Sequence, residues 1–259
     1  MLQLIQAYLP VFLLVFVRLS TFIVSAPIFS MRGVPNQFKI GFAFMMAIIS
    51  FSYVKVQTAI PLDLMFTVYV IKEALIGLML GFLITMFFNT VRVAGGLMDM
   101  QMGFAMANVM DPATGAYVPI TGRFKDILAT LYFFSINGHH LMIKGILMSY
   151  QTIAVDKMWV PIESGEVFAF VTQAFSHMFL SAFLIAAPIV VALFLVDLSL
   201  GIIAKTVPQF NIFVVGLPIK IFASFVMLIV VMPVFFVVIS GLFEKMFLAM
   251  SEMMKLLGG

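Results

Sequence analysis

The stretch 167–196, VFAFVTQAFSHMFLSAFLIAAPIVVALFLV, is longer than the about 20 apolar residues that a helix needs to cross a bilayer. It is not alone. Comparable apolar segments lie near 4–30, 40–54, 64–90, 127–155 and 212–243, so the sequence predicts about six hydrophobic helices. The pieces are uneven: 40–54 is short for a crossing, and 167–196 is expected to break at Pro188. Across 259 residues, 64% are hydrophobic and 10% charged, against ~25% charged in an average soluble domain. With no polar stretch long enough for a soluble domain, residues 1–259 read as a single helical membrane domain with an all-α, polytopic fold.

The formal charge of +3 is small and scattered, which argues against nucleic acid as a partner. There is no cysteine, so disulfides, thiolate catalysis and zinc-thiolate sites are excluded. The first basic residue is Arg18, so the start lacks the basic region of a signal peptide and the chain is read as mature from Met1. Between the apolar segments lie 30–39, 55–63, a central region 92–126, 156–166 and 205–211, each with proline. Lys and Arg favour the first, third and fifth of these, which the positive-inside rule turns toward the cytoplasm. The tail 242–257 sets Leu242, Phe243, Met246, Met250, Met253 and Leu257 at helical intervals, an amphipathic helix expected to lie on a membrane or a partner.

The central region is chemically unlike its surroundings. In 98–115, MDMQMGFAMANVMDPATG, Met98, Met102, Met106 and Met110 recur every fourth residue, a slowly drifting stripe on a helix. Methionine is unbranched and polarizable, suited to a seal against changing shapes; with 22 in the chain, plain core filling is the competing reading. Asp111 precedes Pro112 and is biased away from helix, and Thr114-Gly115 favours a turn. Irregular backbone at membrane depth is tolerated only inside protein or beside a watery cavity. Charges within apolar runs need partners: Arg18, Lys72, Glu73, Arg92, Asp99 and Asp197 are candidates for pairing between helices or subunits, ahead of proton relay. Arg92 and Asp99, seven apart, share a helix face and bracket Gly95-Gly96. Gly77 and Gly81 make a small-residue face for close packing. Metalloprotease, serine-hydrolase and aspartyl-protease patterns are missing, and adjacent His139 and His140 suit one metal poorly.

Four blocks carry a resemblance: 25–41 (SAPIFSMRGVPNQFKIG), 96–115 (GLMDMQMGFAMANVMDPATG), 123–140 (RFKDILATLYFFSINGHH) and 207–220 (VPQFNIFVVGLPIK). In order and spacing they resemble the FliR family of the flagellar type III export gate, to which an injectisome subunit is homologous. The resemblance implies a non-enzymatic gate subunit in the bacterial inner membrane, at the flagellar basal body, with no cofactor or metal. It implies assembly of one copy with several FliP and FliQ subunits into a cone of stacked helix hairpins, with FlhB wrapped around it, FlhA nearby and unfolded flagellar proteins as cargo. It also implies that the loop after Gln101, Met102 and Gly103 plugs the channel, with Phe104, Met106 and Met110 as sealing side chains and Asp111-Pro112 beginning the turn. A secondary transporter with a broken-helix solute site at 103–119 is the alternative from another class.

Overall fold

The computed structural model describes residues 2–30, 33–51, 54, 60, 62–104, 119–158, 165–207 and 212–258. All regular structure among them is helical: α1 (Leu2–Ser25), α2 (Asn36–Phe51), α3 (Leu64–Met102), α4 (Ile120–Ser135), α5 (Gly138–Thr152), α6 (Glu166–Thr206) and α7 (Ile212–Gly258). Of these, α1, α3, α6 and α7 are long and apolar enough to cross a membrane, which makes the chain an all-α polytopic membrane protein. Four such helices stand where six apolar segments are expected, because α2, α4 and α5, at 16, 16 and 15 residues, fall short of a bilayer.

Several boundaries differ from the sequence reading, each for a local reason. Segment 127–155 is two helices, because Asn137 turns left-handed (φ 57°), a conformation its short polar side chain tolerates. The central region is helical at both ends: α3 runs on to Met102 through good helix formers such as Ala94, Leu97 and Gln101, and α4 resumes at Ile120. Pro188 does not break α6, nor do Pro218 and Pro233 break α7, in keeping with the tolerance of membrane helices for proline. Arg92 and Lys125, within the central region 92–126, therefore sit on α3 and α4.

The chain divides into two compact units. Unit 1 comprises Met1–Phe87, Ile136–Phe175 and Glu244–Gly259. Within it α1 meets α2 through edge-on aromatic pairs, Phe12–Phe44 at 5.5 Å and Tyr8–Phe51 at 6.0 Å between ring centroids. Gly77 and Gly81 bring α3 against α1, where a side chain would strike the Thr21 and Ser25 hydroxyls and the Arg18 carbonyl. Thr85 hydrogen-bonds the Ser25 carbonyl at 2.8 Å across the same seam. This small-residue face thus closes an interface inside the chain. The tail helix also packs inward: Met246, Met250, Met253 and Leu257 are buried, Met250 lies over Gly145 of α5 and Gly258 lies beside Thr152. Periodicity identified its apolar face correctly but assigned it the wrong cover, a membrane or partner instead of this chain's own helices.

Unit 2 comprises Phe88–Ser135 and Ser176–Phe243. Its aromatic core joins Phe88, Phe133 and Phe243, with centroids 4.9 to 5.4 Å apart. On α6, Phe183, Val191, Phe194 and Leu195 stand more than half exposed, an apolar exterior that suits hydrocarbon and not water.

Candidate functional site

The 103–119 connection rises from a hairpin stem of α3 and α4 in unit 2. Gly95 crosses Gly122 so closely that a Cβ at Gly95 would overlap the Gly122 backbone. That approach lets side chains on either side reach across. One turn before the crossing, the Arg92 guanidinium pairs with the Asp126 carboxylate at 3.1 Å. One turn after it, both oxygens of the buried Asp99 accept the Thr121 N–H, at 3.1 and 3.2 Å. Asp99 thus caps α4 from another helix, satisfying an end donor that a helix otherwise leaves unbonded. The Thr121 hydroxyl adds a contact to the Met102 sulfur at 3.5 Å. Arg92 and Asp99 do bracket the glycine patch, but their partners are on α4; Gly96 has nothing within 4 Å of where its Cβ would be.

Each residue of the Gln101-Met102-Gly103 motif has a separate place. Gln101 donates from Nε2 to the Asp197 carboxylate on α6 at 2.9 Å, and Lys220 of α7 pairs with that carboxylate at 2.9 Å. Met102 is fully buried, as is Met98, so this half of the methionine stripe faces the core of unit 2. Gly103 ends α3 in a left-handed turn (φ 87°), with the Leu217 side chain 3.0 Å from where a Cβ would stand. Phe104, partly exposed, meets Phe225 edge-on at 6.4 Å. Met106, Met110, Asp111 and Pro112 lie outside the described residues.

The remaining charges gather in unit 1. Arg18 of α1 forks onto Glu73 of α3 at 2.5 and 3.0 Å, bonds the Ser149 hydroxyl and the Ile153 carbonyl at 3.0 Å, and lies 4.3 Å from the Tyr150 ring centre. Lys72 pairs with Glu73 at 2.8 Å and donates to the carbonyls of Ala154, Val155 and Lys157. Two cations and one anion are buried together. The surplus positive charge sits at the carbonyl end of α5, which carries the negative pole of the helix dipole. Thr121, Asp126, Ser149, Tyr150 and Lys220 are partners that sequence reasoning missed, because nothing in their spacing ties them to charges 22 to 132 residues away. Lys125 was missed too; it is buried over the Phe235 ring at 4.8 Å, and desolvation lowers its pKa to about 8.

Residues 9–246 match the family model described as bacterial export proteins, family 1. The flagellar biosynthetic protein FliR of Bacillus subtilis (strain 168) is 47% identical over 250 residues, 96% of each chain. That of Escherichia coli (strain K12) is 31% identical over 238 residues, 91% of this chain and 89% of the relative. The Yop proteins translocation protein T of Yersinia pestis is 32% identical, over 58% of this chain and 57% of its own length. These are names of export components, not of enzymes. With matches of this length, the helical membrane protein described above belongs to the family 1 bacterial export proteins, the FliR family of flagellar type III export.

Proposed function

We propose that this chain is a gate subunit of flagellar type III export in the bacterial inner membrane, acting as one membrane domain, and that the loop after Gln101, Met102 and Gly103 plugs the channel. FliP-, FliQ- and FlhB-type subunits complete the conduit in this reading, an FlhA-type subunit lies nearby, and unfolded flagellar proteins are the cargo. The flagellar assignment is supported by matches to flagellar relatives over more than nine-tenths of the chain, against little more than half for the Yersinia protein.

The observation that carries the plug is the stem: a connection launched by a left-handed glycine and clamped at its base by Gly95–Gly122, Asp99–Thr121 and Arg92–Asp126. Long connections in compact structures are commonly functional. A rigid stem fixes where such a segment leaves and rejoins the helices. A seal that must later admit varied polypeptides needs deformable apolar contacts, which Phe104, Met106 and Met110 supply, rather than fixed ligands. Replacing residues 104–110 with glycine, in cells that carry the other gate subunits, is expected to raise ion leakage through the assembled gate while leaving its yield unchanged. Membranes as tight as the parent's, with normal motility, would refute the plug.

A further inference from the structure

We infer that the Asp197–Lys220 ion pair is the anchor for the base of the plug, engaged through Gln101, and that these three are positioning residues for the closed gate. The inference rests on the plug reading above. Asp197 and Lys220 lie on α6 and α7, within apolar helices where a lone charge is costly, and each makes the other tolerable. Lys220 reaches both carboxylate oxygens at 2.9 Å, so the pair is complete by itself. A carboxylate has about four acceptor positions, and Gln101 Nε2 takes one left over on Oδ2. Gln101 stands two residues before the Gly103 turn, so this bond ties the last turn of α3 sideways to α6.

The stem contacts and this contact differ in kind. Asp99–Thr121 and Gly95–Gly122 join α3 to α4, and the hairpin can move with them intact. Movement of the hairpin end away from α6 must break Gln101–Asp197. Breaking it leaves Asp197 still neutralised by Lys220, so no orphan charge results and the polar part of the loss is one charge-assisted hydrogen bond. Such a tie holds the plug base in place yet releases it reversibly.

The test is closed-state ion leakage in cells that assemble the whole gate, with gate yield measured alongside. Gln101→Leu removes the donor, and Gln101→Glu sets a carboxylate against Asp197. Each is expected to raise leakage about tenfold, the factor that one such bond carries in an open-to-closed ratio. In a background with Asp197→Lys and Lys220→Asp, Gln101→Glu faces an ammonium, and leakage should return to the parental level at equal yield. Loss of mere structural fit would not be reversed by charge. Should the exchanged background fail to assemble, the two Gln101 variants decide alone. If replacing residues 104–110 with glycine leaks but both Gln101 variants stay tight, the anchor is overturned and the plug stands; if the glycine replacement itself is tight, the plug reading falls and takes the anchor with it.

Discussion

Glu73→Ala is expected to leave little folded protein in the membrane. Glu73 and Arg18 are both 0% exposed and Lys72 is 6% exposed, so the glutamate is the anion that two buried cations share. Breaking a buried ion pair by removing one partner costs about 3–5 kcal/mol, because the surviving charge stays desolvated without compensation. Here two cations would survive. Such a loss is a large part of a typical domain stability of ~5–15 kcal/mol. The dipole at the end of α5 and the carbonyls of Ala154, Val155 and Lys157 soften the loss without replacing a full negative charge. Yield of membrane-inserted full-length chain and its midpoint of thermal aggregation in detergent check this. A midpoint equal to the parent's would mean that the cluster contributes nothing to stability.

A comparably large effect is expected from one methyl group at Gly95. In Gly95→Ala the new Cβ overlaps the Gly122 backbone, and two helix backbones have no flexible side chain to give way. Overpacking of this kind costs about 1–3 kcal/mol or more. The added separation of α3 and α4 also stretches Arg92–Asp126 and Asp99–Thr121, which depend on the close crossing. Gly95→Ala should therefore lower the thermal midpoint and speed hydrogen exchange in the first turns of α4. Its neighbour is the control. Gly96 has no atom within 4 Å of where a methyl group would stand, so Gly96→Ala should leave stability unchanged or raise it by up to about 1 kcal/mol, the helix-propensity advantage of alanine. Equal behaviour of the two variants would contradict the crossing.

Much of the fold was legible from residues taken in order. Length of apolar run marked α1, α3, α6 and α7, and the spacing of Met246, Met250 and Met253 marked a buried helix face. Errors came where a local signal met its surroundings: Pro188 reads as a break in water but not in a greasy helix, and Asn137 reads as an ordinary helical residue until its φ is seen. At the candidate site, Gln101, Met102 and Gly103 stood out as a motif, and Asp197 as a charge in need of a partner. That the two requirements meet in one hydrogen bond was not readable, since they lie 96 residues apart.

Residue order alone makes this protein a set of membrane helices, because the cost of an unpaired peptide group or charge in hydrocarbon acts on each short segment independently of the rest. Which charges neutralise one another, and where the apolar faces go, follows from the packing of the helices. Arg18 finds Glu73 across 55 residues, Thr121 finds Asp99 across 22, and the tail finds α5, through helix crossings set by glycines and not by spacing along the chain. A pairing energy depends on distance in space, which residue order constrains within a helix but leaves open between helices.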